Sequence, residues 1–233
     1  MTKPARRLSG LSVSARWTIG VFVVIVALVV AIWPRGSAEF DPGTSTAPLP
    51  GAAAPAEAGD NVSPQELTRA RQAAALEPCP VPDLADPADS PMAGVSLSCL
   101  ADGQLIEVAN ATEDLPLVLN VWAYWCGPCR TELPIIAEFA ATSRGQVQVL
   151  TVHGQDGAQN LTRALTMLAD IGVTLPTVVD TDAQLARVLG IPRVYPCTVL
   201  IRADGTVAAV MPQIFDTRDE LAAAVEEHLD VAA

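Results

Sequence analysis

The chain has 233 residues, half of them hydrophobic, enough to bury a core without metals or staples, so one globular domain plus appendages is expected. Its formal net charge is -12, yet the first 35 residues carry five basic side chains (Lys3, Arg6, Arg7, Arg16, Arg35) and no acid, leaving nine basic against 26 acidic side chains beyond them. The acidic remainder is a poor surface for nucleic acid or anionic lipid, and no nucleic-acid partner is expected.

Residues 1–16 form a basic tail. "WTIGVFVVIVALVVAIW", residues 17–33, carries no charge and is followed by Pro34, so 17–34 reads as a single transmembrane anchor at the lower edge of spanning length. Its terminal Trp residues suit the two interfaces, and the basic flank predicts a cytoplasmic N-terminus with the rest of the chain outside the cell membrane. A cleaved signal peptide is the competing reading, but the apolar run is long for one and "WPRGSAEF" offers only a weak cleavage site. Residues 35–62, rich in Pro, Ala and Gly, form a flexible tether. The extracytoplasmic domain, 63–233, starts with an extension, 63–93, in which Ser63 as N-cap, Pro64 at the first helical position and Glu66 in a capping box open a helix over 64–77. Pro78 and Pro80 stop it.

"GVSLSCLADGQLIEV" alternates apolar and polar residues around Asp102-Gly103 and predicts a hairpin over 94–108. "LPLVLNVWA" is a nearly continuous apolar run, the pattern of a strand buried on both faces. A helix opened by Gly127 follows, with Pro134 inside it, then strand "VQVLTVHG", helix "AQNLTRALTMLADIG" closed by Gly172, strand "PTVVD", a short helix over 182–189, a second Asp-Gly hairpin in "CTVLIRADGTVAAVM", and a helix over 217–231. This order calls for a mixed sheet flanked by helices on both faces, with parallel central strands and an antiparallel edge pair.

Cysteines stand at 79, 99, 126, 129 and 197. A structural zinc site wants four ligands, usually as two close pairs; here there is one CxxC pair, with His153 and His228 reading as surface or strand-end residues, so neither metal nor cofactor is expected. A redox pair has a mechanism. Cys126 follows a buried strand and lies at the start of a helix, where unpaired N–H groups and the helix dipole favour a thiolate. Cys129, one turn on, is placed to close a disulfide. Gly127 and Pro128 belong to that first turn.

"LNVWAYWCGPCRTELP", with "YPCTVLIRADGTV" downstream, resembles the TlpA/ResA-like (CcmG/DsbE-type) branch of membrane-anchored thiol-disulfide oxidoreductases, over roughly residues 90–231. The resemblance implies a thioredoxin fold, here with an N-terminal helix and hairpin extension behind the transmembrane helix. It also implies Cys126 as the exposed attacking thiol, Cys129 as the resolving one, and Pro196 as a cis-proline exposing the backbone of Tyr195 to a substrate chain. It matches Glu132 to an acid that tunes the cysteines, the alternative being a solvated helix acid. It matches Trp125 to an aromatic beside the site, the alternative being plain packing. Asn120 stands where thioredoxins carry a buried Asp, and a neutral amide cannot take a proton, so that role passes to Glu132 or water. Cys197 replaces a common Thr and reads as a small buried strand residue, with a third redox thiol as the alternative.

Cys79 and Cys99 are expected to form a structural bridge pinning the first helix to the sheet; a second exchange pair would lack the CxxC spacing. The expected partners are substrate proteins with disulfides or dithiols, a membrane redox partner that recycles the CGPC pair, and the membrane itself through 17–33. The function implied is disulfide reduction, in cytochrome c maturation or general thiol redox. A disulfide-forming oxidase of the same fold is the alternative, and a copper chaperone using Cys126, Cys129 and His153 is the alternative from another class. A thiol peroxidase is disfavoured, because Tyr124 and Trp125 replace the Thr and Pro such enzymes resemble one another in carrying before their cysteine.

Overall fold

The computed structural model describes residue 23 and residues 62–80, 90–112, 115–143, 145–154 and 156–231. The basic tail, the anchor expected over 17–34 (Val23 apart) and the tether over 35–62 (Val62 apart) lie outside these residues. Among the described residues no helix is long and apolar enough to cross a membrane.

Helix α1 (Pro64–Ala74) opens as its sequence predicts: Ser63 is extended and its hydroxyl accepts the Glu66 N–H at 3.2 Å. It stops short of the expected residue 77. Ala75 turns left-handed (φ 46°) and donates its N–H to the Arg71 carbonyl, and the chain then peels away so that the Glu77 N–H reaches the Thr174 carbonyl at 2.7 Å. Strands β1 (Ser96–Cys99) and β2 (Leu105–Glu107) flank the Asp102-Gly103 turn, where Gly103 is left-handed (φ 88°) and the Asp102 carboxylate accepts the Gln104 N–H. A 3-10 turn (Val108–Thr112) leads to β3 (Leu117–Trp122), α2 (Gly127–Thr142), β4 (Gln148–His153), α3 (Leu161–Ile171), β5 (Thr177–Val179), α4 (Gln184–Leu189), β6 (Cys197–Ile201), β7 (Val207–Met211) and α5 (Arg218–Leu229).

The seven strands form one sheet in the order β2-β1-β5-β4-β3-β6-β7. Strands β5, β4 and β3 run parallel, and an antiparallel pair lies on each side of them, not on one side only as expected. The added pair is the first hairpin, whose β1 docks on β5 with Ser98 opposite Val179 and Cys99 opposite Val178. The N-terminal extension thereby becomes part of the sheet.

Strand alternation sorts the core onto two faces. Val118 and Trp122 meet Leu133 and Phe139 of α2, Leu168 of α3 and Val225 of α5 on one. Leu117, Leu119 and Val121 meet Val199 and Ile201 of β6 and Leu189 of α4 on the other. On the first face a row of buried polar side chains crosses the central strands: Thr198 opposes Asn120, Asn120 opposes Thr151, and Thr151 opposes Thr177. The row is knitted by Asn120 Nδ2 donating to Thr198 Oγ1 (3.1 Å), a Thr151–Thr177 hydroxyl bond (2.7 Å), Trp122 Nε1 donating to Thr151 Oγ1 (3.2 Å) and Thr177 donating to the Leu175 carbonyl (3.0 Å). Such bonds are what make buried polar groups tolerable.

Candidate active site

At the end of β3 the chain turns through Ala123, Tyr124 and Trp125, and the Cys126 N–H returns to the Ala123 carbonyl at 2.9 Å. Cys126 is the N-cap of α2, extended in backbone (φ -76°, ψ 106°), and its sulfur accepts the Cys129 N–H at 3.1 Å. A sulfur in that place satisfies one of the orphan donors of the helix and sits in the positive field of its first turn. Cys126 and Cys129 are joined in a disulfide, with Cα atoms 5.3 Å apart. Pro128 lies in the first turn, where its missing N–H costs nothing. A Cβ on Gly127 would meet nothing within 4 Å, so the glycine is not required by packing.

Cys126 is 4 % exposed and Cys129 fully buried. The exposed attacking sulfur implied by the resemblance is therefore not what this oxidised form presents: Sγ of Cys126 is turned inward onto the Cys129 N–H, and what stands out to solvent is its neighbour Trp125, 55 % exposed.

Glu132, one turn beyond Cys129, is fully buried and not the solvated acid that was the alternative reading. Its Oε2 accepts from Asn120 Nδ2 and its Oε1 from the Phe215 N–H, both at 2.9 Å. Burial pushes its carboxyl above the ordinary carboxylate range; the bonds from Phe215 and Asn120 oppose that, and the Asp216 charge adds to it. Asn120 Oδ1 is buried without a partner among the described residues. Phe215, in the loop between β7 and α5, is a member of the site that its sequence did not reveal, because its contribution is a backbone N–H.

The Tyr195–Pro196 peptide is cis. Tyr195 stacks edge-on against Trp125 with ring centroids 5.7 Å apart, which brings the cis-proline segment against the cysteine turn. Trp125 Nε1 donates to the Asp156 carbonyl, and Asp156 pairs with Arg193 at 2.6 Å. Two glycines make this packing fit: a Cβ on Gly154 would lie 2.7 Å from the Tyr195 hydroxyl, and one on Gly157 (φ 125°) 2.8 Å from the Tyr124 ring. The two glycines in "HGQDG", at the end of β4, are the sequence signal for this close approach.

His153 ends β4 but is wholly buried, not at the surface. Its ring lies 4.8 Å from that of Trp122, Nε2 accepts the Tyr124 N–H at 3.4 Å, and Nδ1 has no partner among the described residues. Burial lowers its pKa to about 4. His228 lies in the last turn of α5. Among the described residues no group of three or more His, Cys, Asp or Glu side chains is placed to hold a metal.

Cys79 and Cys99 are joined in a second disulfide, Cα atoms 5.9 Å apart, which ties the segment after α1 to β1. Cys197 is free and buried, in the core of the opposite sheet face from Cys126 and Cys129. Burial pushes its thiol up to about 11, with the Met211 N–H opposing and the Glu132 charge adding.

Residues 79–210 match the model of the AhpC/TSA family. Among curated proteins, the chain is 27% identical over 113 residues to the thiol-disulfide oxidoreductase ResA of Geobacillus thermodenitrificans (48% of this chain, 60% of the relative), and 33% identical over 94 residues to the thiol:disulfide interchange protein CycY of Rhizobium leguminosarum bv. viciae (39% and 46%). It spans 60% or less of the length of each of these relatives. Among solved structures, a secreted Mycobacterium tuberculosis disulfide oxidoreductase homologous to E. coli DsbE superposes with a TM-score of 0.50 at 22% identity (60% of this chain, 99% of that one). MTB DsbF, in mixed oxidized and reduced forms, superposes with a TM-score of 0.51 at 24% identity (64% and 98%). These likenesses show the thioredoxin-like fold.

Proposed function

This chain belongs to the AhpC/TSA family, and from that premise we propose that it is a thiol-disulfide oxidoreductase working through Cys126 and Cys129, held on the extracytoplasmic side of a cell membrane by residues 17–33. The observation that carries the reading is the Cys126–Cys129 bridge closed across the first turn of α2, with the cis Tyr195–Pro196 segment packed beside it through Trp125.

In the reducing direction the dithiol form begins. The Cys126 thiolate, favoured by the helix N-terminus, attacks one sulfur of a substrate disulfide, forming a mixed disulfide and expelling the other substrate sulfur as a thiolate. Cys129 then gives up its proton and attacks the Cys126 sulfur, which closes the enzyme disulfide and releases the second substrate thiolate; two electrons have passed to the substrate. Glu132 is the group that takes the Cys129 proton. Its raised pKa suits a base that must both accept and return a proton. The exposed Trp125 ring and the Tyr195 backbone support docking of an extended substrate chain.

The CGPC sequence favours reduction, with substrates such as the disulfides of apocytochrome c or of copper-site cysteines, and a membrane redox partner supplying the electrons. A thiol peroxidase is disfavoured by Tyr124 and Trp125 immediately before Cys126. A copper chaperone would need His153 as a ligand, and that ring is buried between Trp122 and Tyr124. The deciding experiment is the reduction potential of the Cys126/Cys129 pair, equilibrated against glutathione. A value near ~-270 mV is expected; one near ~-120 mV would make the protein a disulfide-forming oxidase instead.

A further inference from the structure

The exchange chemistry leaves unused a cleft of about 230 Å³ bounded by α1, the β1–β2 turn, the loop leading into α3 and the end of β5. Arg71 of α1 forms part of its wall. Arg71 Nε donates to the Leu100 carbonyl at 3.1 Å, which sets the plane of the guanidinium. Its terminal nitrogens lie against Gly103, where a Cβ would come within 2.9 Å of Nη2, so the glycine of the Asp-Gly turn makes room for them. Those nitrogens have no acceptor and no ion pair among the described residues.

Two acids beside the cleft are committed elsewhere. Asp102 accepts the Gln104 N–H, and Asp180 accepts the N–H groups of Gln184 and Leu185. Three further polar side chains line the cleft, Ser98, Gln159 and Thr181, and none has a hydrogen-bond partner among the described residues. Leu100, Ala158, Leu161 and Val179 supply apolar wall. A guanidinium has five N–H donors in a planar fork. With one neutral acceptor in place, this one offers the remaining face of the fork to an anion that can take two parallel bonds.

We propose that the cleft binds a small organic carboxylate, its head paired with the Arg71 guanidinium and its apolar body against Leu100, Ala158, Leu161 and Val179. Only one positive charge lines the site, in a chain of net charge -12, which favours a monoanion over a phosphate. The volume sets the size, since a cavity of ~150 Å³ already accommodates benzene. Ser98, Gln159 and Thr181 complete the shell by donating to the carboxylate oxygens.

The test uses the full chain in detergent micelles, with benzoate as probe and benzamide as its neutral isostere, read by the amide resonances of Leu100, Gly103 and Thr181. Benzoate should shift these saturably and benzamide should bind more weakly by roughly tenfold or more. Arg71→Met should weaken benzoate by a similar factor, and Gly103→Ala, which pushes the guanidinium aside, should do the same through a different atom. Unmoved resonances of Trp122 and Phe139 would show that each variant is folded. Disulfide exchange at Cys126/Cys129 should be unchanged in Arg71→Met, which keeps this site separate from the exchange reading. The proposal falls if benzoate gives no saturable shift at these amides, if sodium chloride of equal ionic strength reproduces the shift, if benzamide binds equally well, or if both folded variants bind as the parent does.

Discussion

The molecule holds two disulfides in contrasting settings. Cys126–Cys129 spans a sequence separation of 3 at a helix N-terminus, where the first sulfur already accepts a helix N–H and the open side of Gly127 faces outward. Cys79–Cys99 spans a separation of 20 and ties the segment after α1 to a strand, with both residues packed in apolar core. The bond is the same; the first site offers a developing thiolate something to be stabilised by, and the second offers it burial alone. All four cysteines are buried, so redox character resides in the backbone dipoles around the sulfur more than in the sulfur.

The sharpest way to break this comparison is substitution at each bridge. Cys126→Ser should reduce disulfide exchange to background, whereas the double change Cys79→Ser with Cys99→Ser should leave exchange intact and lower stability by about 3 kcal/mol in denaturant titrations. Loss of exchange in the double variant would mean that the second bridge takes part.

Acid probes the packing behind the site. The folded pKa of His153, about 4, lies below its ordinary 6.5, so proton uptake favours the unfolded chain. Stability from this residue is complete above pH 6.5 and falls as pH drops towards 4, by about 3 kcal/mol at the acid limit. His153→Phe should remove that part of the slope, as seen by unfolding at pH 7 and pH 4.

Glu132→Gln keeps the shape of the acid and removes its proton chemistry. It should slow resolution of the mixed disulfide by about a hundredfold and flatten the pH profile of exchange; stopped-flow tryptophan fluorescence across pH would record both. Because the folded pKa is raised, ionisation of Glu132 costs stability as pH rises above 4.5. The Gln variant should lose that decline.

The smallest effect is expected at the rim. Arg193→Ala breaks an ion pair with Asp156 whose arginine is 71% exposed, and thermal unfolding should register under about 0.5 kcal/mol. A larger loss would show that the pair holds Asp156, and with it Trp125, in place.

What was legible in the sequence was whatever depends on local order. The Ser63 cap, the Asp-Gly turns, the buried strand before a CxxC helix and the cysteine spacing are contiguous signals, and each names its own geometry. What escaped depends on neighbours distant along the chain. Asn120 stands where relatives carry a buried Asp, but the partners that hold it, Thr198, Thr151 and Glu132, come beside it from β6, β4 and α2. His153 looked like a strand end until Trp122 and Tyr124 enclosed it. The docking of the first hairpin on β5 was equally invisible, since the partner strand lies far downstream and is three residues long.

Strand alternation has a consequence for how the chain oxidises. Five cysteines offer many ways to go wrong, since each choice of the odd one out leaves three pairings for the other four. Tyr195, just before Pro196, packs on Trp125 beside Cys126, yet Cys197 lies on the other face, so the sheet itself is an insulating layer between that thiol and Cys126. On its own side, Cys197 is four strand positions from Cys99, about 19 Å at the usual ~4.8 Å spacing. Plane and distance together quarantine the odd thiol, and in the exchange cycle proposed above one pair turns over without drawing the other three sulfurs into the circuit.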